Sequence, residues 1–266
     1  MKVAYKRDIG KKRESNQDDL LVDEESGIFL LADGIGGHQA GEVASQMAVS
    51  EAYTHLKDGL DKVSGGEVGV HEAKGDKALG GEVGVCEAKG DKEIAKLLVR
   101  ALFSAHDAIK EKAKTDLNLM GMGTTLVEMV VKDGKAHICH IGDSRAYILR
   151  EGIRQITRDH TVGDYLVEHN IMSREEVPPR KWHTLTQAVG LGSESLVPEL
   201  NSADLEAGDY LLLCSDGLTD MLRDEEIEKV VRGCAGDVNM AVDALVEEAN
   251  SKGGRDNISV ILVEYG

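Results

Sequence analysis

Apolar residues recur along this chain with two different periods, and the switches between them mark out its elements. Ile28-Phe29-Leu30-Leu31-Ala32 is an unbroken apolar run that stops at Asp33-Gly34-Ile35-Gly36-Gly37, which predicts a buried strand opening into a glycine-rich turn. A helix is expected next, because Val43, Ala44, Met47, Ala48, Ala52 and Leu56 keep helical spacing over 41–57. A stronger stripe of Ile94, Leu97, Leu98, Ala101, Leu102, Ala105 and Ile109 predicts a second helix over 92–114, packed on the first. After Gly123 the period shortens to that of strands: 124–131, a turn at Asp133-Gly134, then 136–141 and 145–149, which read as an antiparallel meander. Residues 159–183 are polar, with short helices expected at 162–169 and 173–177 ahead of Pro178-Pro179, and read as an excursion over the surface. Strands return at 210–214 and 258–264, with helical spacing at 224–232 and 239–250. Strands and helices come in blocks, not in strict alternation, so the expectation is one α+β layered domain over 1–266.

Between the two long helices, 65–77 is repeated almost letter for letter as 80–92, with His71 in one copy and Cys86 in the other. Two short glycine-rich copies are too few for a stacked solenoid, so a duplicated loop insertion at about 64–92 is expected, mobile and at the surface. His71, Glu72 and Asp76 are not read as a metal site.

The composition, 41% hydrophobic and 30% charged over 266 residues with 3% aromatic, is that of a globular chain whose core must be aliphatic. Acidic residues outnumber basic ones 48 to 31, and the net charge of −17 would repel nucleic acid and anionic membranes but attract cations. No segment has the apolar length of a signal peptide or a spanning helix, so a cytoplasmic protein is expected. Cys86, Cys139, Cys214 and Cys234 form no CxxC pair and read as ordinary reduced thiols.

The chemistry lies in four aspartates at a common kind of place, where a strand meets a glycine or a tight turn: Asp33, Asp143, Asp216 and Asp256. One Asp-Gly is usually a hairpin turn, but four in this setting suit strand ends converging on one cleft. Ionised Asp is a short, acceptor-only ligand, and the neighbouring glycine lets a backbone carbonyl join it. An oxygen-only set suits Mg²⁺ or Mn²⁺, not Zn²⁺, and a dinuclear site of that kind activates water for in-line attack on phosphorus. The chain has no Gly-x-Ser-x-Gly elbow, no Cys-x5-Arg loop and no Walker loop, so no protein nucleophile is indicated. Near the start, Arg13-Glu14-Ser15-Asn16-Gln17-Asp18 sets a guanidinium, suited to bidentate phosphate contact, close to further carboxylates.

In these fragments the sequence resembles the metal-dependent protein phosphatase family of the protein phosphatase 2C type, most closely its bacterial branch. The resemblance runs nearly end to end, through residues 13–18, 32–38, 121–125, 141–147, 157–161, 185–190, 214–219 and 254–259 in order. It implies a central antiparallel β-sandwich flanked by helix pairs in four αββα layers, with metals at one end of the sandwich. It implies a serine/threonine phosphatase that hydrolyses phosphoserine and phosphothreonine proteins with two Mn²⁺ or Mg²⁺ ions. Asp33 would bridge the pair, Asp216 and Asp256 complete the first ion, the Gly34 carbonyl helps hold the second, and Asp18 acts through water. Arg13 would bind the substrate phosphate, Asp143 would hold a third, weaker ion, and 159–182 would be a flap beside the site.

Two features depart from the pattern. Animal members carry a histidine after the metal-binding Asp-Gly, where this chain has Ile35, so His38 and His160 are the nearest candidates by motif for protonating the leaving group. The duplicated insertion is the other departure. The competing reading is a catalytically inactive metal-sensing or partner-binding module of the same fold, which predicts lost ligands. The expected partners are phosphoproteins made by a cognate kinase, with no nucleic acid or membrane, and a monomeric enzyme.

Overall fold

The chain is described here by a computed structural model that covers residues 1–36, 39–64, 89–192 and 196–266. The apolar run at 28–32 is the centre of a strand, β3 (Ile28–Ile35), which continues through Asp33 and Gly34 before the chain turns. One sheet orders β2 (Asp18–Asp23), β3, β5 (Leu126–Lys132), β6 (Lys135–Ile141) and β9 (Glu199–Asp204), with the two-residue β4 (Gly123–Thr124) pairing beside β3. The second sheet orders β1 (Lys2–Asp8), β11 (Ile258–Glu264), β10 (Tyr210–Cys214), β7 (Arg145–Leu149) and β8 (Ile153–Gln155). Every pairing is antiparallel.

The central strands read as continuous apolar runs because both their faces are buried. Phe29, Leu31, Val127, Met129, Leu213 and Ile261 fill the space between the sheets. Their neighbours point outward: Leu30, Leu126 and Val130 toward α1 (Gln39–Ser64) and α2 (Lys89–Thr115), and Leu212, Val260 and Leu262 toward the second helix layer. That layer is α4 (Asp216–Thr219), α5 (Asp224–Gly233) and α6 (Val238–Ser251), and α3 (Val162–Glu168) lies in the segment read as a flap. The result is the four-layer αββα arrangement.

Several expectations change. Helix α1 runs on to Ser64, and α2 begins at Lys89, inside the second repeat copy, where Asp91 pairs with Lys135 of β6 at 2.7 Å. The rest of the duplication, with His71, Glu72 and Asp76, lies outside the described residues. The meander at 124–149 is broken: β6 and β7 do not pair, and the chain crosses from one sheet to the other at Gly142-Asp143-Ser144, with Gly142 at φ +108°. That crossover carries Asp143 to the end of the sandwich. Residues 173–177 form a turn, closed by Ser173 N donating to Glu176 Oε2 at 2.9 Å.

Glu128 of β5 is a misfit in this core. It faces the helix layer with no exposure, opposite Leu30 and Cys139, and neither carboxyl oxygen has a hydrogen-bond partner among the described residues. Burial pushes its carboxyl well above the usual range and so keeps it protonated. Glu128→Met, of similar shape, should stabilise the fold by about 1–3 kcal/mol, or roughly 2–4 °C of Tm per kcal/mol. A melt lower than wild type would show that the carboxyl has a partner.

Candidate metal centre

Strand pairing brings the first two carboxylates together. Asp18 opens β2 directly opposite Asp33 of β3, a register that is destabilising for like charges without a cation between them. The register is held by backbone bonds around it. Gly34 N donates to Gln17 O at 3.1 Å, Thr125 N to Asp33 O at 2.9 Å, and Asp33 N to Thr125 Oγ1 at 2.9 Å. Only glycine fits at position 34, since a Cβ there would lie 2.1 Å from Gly41 O and 2.6 Å from Gln17 O.

The second sheet delivers the rest. Where β10 ends, Ser215 Oγ donates to Asp18 Oδ2 at 2.8 Å and accepts from Ser259 N at 3.0 Å, stitching the two sheets together beneath the site. Asp216 then opens α4, and a Cβ at Gly217 would lie 1.9 Å from Asn257 O, so this helix start sits hard against the 254–257 loop. Asp256 in that loop accepts from Asn257 N at 2.8 Å and pairs with Arg13. Asn257 pins the N-terminal loop in place: its amide donates to Ile9 O and Ser15 O, each at 3.0 Å, and accepts from Gln17 N at 2.8 Å. Asp143 arrives on the β6–β7 crossover, where Ser144 Oγ and Thr125 Oγ1 share a hydrogen bond of 2.7 Å.

Arg13, Asp33, Gly34, Asp143, Asp216 and Asp256 line a single cleft of about 1020 Å³. Asp18, 1% exposed, lies behind them. The electrostatics are those of a site short of positive charge. Burial, then the charges of Asp18, Asp216, Asp143 and Asp256, hold Asp33 well above the usual carboxylate range. Asp216 is raised in the same way by burial and by Asp143. Burial raises Asp143 to about 7, and raises Asp18 to about 6 against the hydrogen bond from Ser215. Asp18 Oδ1 and Asp216 Oδ1 are buried without a hydrogen-bond partner among the described residues. Bare oxygens, repelling carboxylates and an all-oxygen donor set fit hard divalent cations.

The histidines separate. His38 lies outside the described residues. His160 does not line this cleft: it lines a second, smaller cavity, and burial together with His140 and Arg158 lowers its pKa to about 3. Near neutrality its imidazole is neutral, a very weak acid, and it opens on a cavity other than the carboxylate cleft, so the structure does not bring His160 to the leaving group. Among the described residues His183 is the histidine that lines the cleft, with Nδ1 3.4 Å from Asp220 Oδ2. Sequence reasoning placed His183 in the polar excursion and gave Asp220, Ser215 and Asn257 no role. Their signals were local motifs whose partners are distant in the chain.

The model of the family described as protein phosphatase 2C matches residues 10–261. The chain is 34% identical to the protein phosphatase PhpP of Streptococcus pneumoniae over 272 residues, covering 99% of this chain and 97% of the relative. It superposes on the crystal structure of the serine/threonine phosphatase PstP/Ppp of Mycobacterium tuberculosis with a TM-score of 0.77 at 32% identity, covering 99% of this chain and 98% of that one. A second structure, the catalytic domain of the serine threonine protein phosphatase PstP in complex with two manganese ions, matches with a TM-score of 0.74 at 30% identity, covering 99% and 97%.

Proposed function

This chain belongs to the protein phosphatase 2C family, and from that premise we propose that its cleft hydrolyses phosphoserine and phosphothreonine in proteins. The single observation that carries the reading is the convergence of Asp33, Gly34, Asp143, Asp216 and Asp256 on one cleft, with Arg13 at its mouth and Asp18 buried beneath. The inactive-module alternative predicts a broken ligand set, and this set is whole.

Asp18, Asp33, Asp216, Asp256 and the Gly34 carbonyl would hold a Mn²⁺ or Mg²⁺ pair, with Asp143 at a third, weaker position. When bound, such ions supply Lewis acidity and the activation of water at neutral pH. The protein's own share is positioning. Arg13, kept in place by Asp256, presents a half-exposed guanidinium to the phosphate, and the walls at 183–188 and Arg255 enclose the phosphorylated side chain. Among the described residues, His183, steadied by Asp220, is the imidazole with access to a leaving alkoxide. The segment 159–182 flanks the cleft as a flap within one catalytic domain spanning 1–266.

Among the described residues no helix is long and apolar enough to cross a membrane. A cytoplasmic monomer that reverses a cognate kinase completes the proposal, and the net charge of −17 favours substrates with basic residues near the phosphate.

The test is hydrolysis of a phosphothreonine peptide and of a small aryl phosphate with Mn²⁺, with Mg²⁺ and after EDTA. Metal-dependent turnover with the higher kcat/KM on the peptide is expected. Folded protein that turns over neither substrate with either metal would instead support the inactive module.

A further inference from the structure

Asp143 stands on a turn, not on a strand, so something must fix that turn before a carboxylate on it can serve a cation. We propose that His160 is the positioning residue for this turn, and that through it the Asp143 cation position is tied to the root of the flap. The proposal rests on the reading of Asp143 as a metal ligand given above.

The contact is reciprocal. His160 N donates to Gly142 O at 3.0 Å, and Gly142 N donates to His160 Nδ1 at 3.2 Å, so one residue closes both hydrogen bonds of the residue preceding Asp143. Because Nδ1 accepts, the ring proton sits on Nε2, which faces Glu199 Oε2 at 4.0 Å. The ring cannot swing away. It stacks on His140 with centroids 4.7 Å apart and planes 13° apart, and His140 is itself fixed by its Nε2–H donating to Arg158 O at 2.8 Å. On the other side of the turn, a Cβ at Gly142 would lie 2.5 Å from the Thr125 methyl, so the turn is gripped between Thr125 and His160. His160 O also accepts from Thr186 N at 2.8 Å and from Thr186 Oγ1 at 3.0 Å, and Thr186 lines the catalytic cleft. One residue at the start of the flap therefore holds both the Asp143 turn and a stretch of cleft wall.

The same group could be taken for a transition-metal site, since one donor atom each of His140, His160 and Glu199 fall within 4.8 Å of one another. The geometry favours positioning. A metal lies in the plane of an imidazole that binds it, and two nearly parallel stacked rings have no such point in common. A ring whose Nδ1 accepts an N–H has its proton, not a lone pair, on Nε2.

The test compares His160→Asn, whose amide can replace Nδ1, with His160→Gln, whose amide reaches the place of Nε2. Mn²⁺ binding is followed by calorimetry and by electron paramagnetic resonance, with Asp143→Asn identifying which binding event belongs to Asp143. His160→Gln should weaken that event about 10-fold or more and leave the others in place, while His160→Asn stays close to wild type. If Asp143→Asn removes an event that His160→Gln retains at full affinity, or if both His160 variants weaken it equally, the positioning role is overturned. If Asp143→Asn removes no event, the metal reading of Asp143 fails first and the proposal with it. Zn²⁺ binding that survives Asp143→Asn and disappears in His160→Gln would also overturn it, in favour of a separate metal site.

Discussion

Asp33→Asn should lower Mn²⁺-dependent turnover by about 10³-fold or more, the scale of roughly 4 kcal/mol of lost transition-state stabilisation, while raising the melting temperature of the protein in EDTA. The two effects share one cause. Asp33 faces Asp18 across a strand pair and is repelled by Asp216, Asp143 and Asp256, so without cations its charge works against the fold. The amide keeps the shape and removes the charge. Relief of about 1–2 kcal/mol would appear as roughly 2–8 °C in EDTA. The pH dependence follows the same sign. A carboxyl whose folded pKa lies above its unfolded value gives stability that is present at low pH and lost as pH rises through the folded pKa. With Asp18 moved from 3.8 to about 6 and Asp143 to about 7, metal-free protein should lose Tm steadily between about pH 4 and 7, and saturating Mn²⁺ should abolish that slope. Calorimetric melts of both proteins, with and without EDTA, check this. A variant that melts below wild type in EDTA would mean the carboxylates support the fold by themselves.

Much of the layered architecture was legible because burial on both faces leaves an unmistakable run. The strands at 28–35, 126–132, 210–214 and 258–264 and the helices α2, α5 and α6 stand at or near their expected places. The strands β1, β8 and β9 were not legible, since each is short or carries charged residues along a partly exposed sheet edge, where polarity masks the period. Sheet membership was the larger loss. Consecutive strands usually pair, and nothing local to Gly142-Asp143-Ser144 says that this link changes sheets. The candidate site divides in the same way. Asp33, Asp216 and Asp256 announce themselves as aspartates at strand ends. What sets Asp18 apart from Asp19 is the pairing register and Ser215, 197 residues away. Sequence proximity to a motif does not tell which side of a turn a ring lies on: His160 turns to the smaller cavity, and His183 reaches the cleft only through the fold.

Arg13→Ala should separate substrate recognition from metal binding. The guanidinium pairs with Asp256 and lies near Asp33 and Asp216, yet its side chain is 50% exposed, so the pair contributes little to stability and Tm should stay within about 2 °C of wild type. A phosphate dianion entering the cleft offers that fork a better bidentate partner than a carboxylate already shared with a cation site. Losing a charge-assisted contact worth about 1.5–3 kcal/mol corresponds to a 10- to 100-fold fall in kcat/KM and a matching rise in the inhibition constant of inorganic phosphate. Mn²⁺ affinity should hold or increase, because removing Arg13 takes a competing positive charge away from Asp256. Arg13→Lys keeps the charge without the planar fork and should recover only part of the loss. If Arg13→Ala leaves phosphate inhibition unchanged but weakens Mn²⁺ binding, the guanidinium serves to orient Asp256, and recognition of the phosphate must come from the metals and from Arg255 on the same wall.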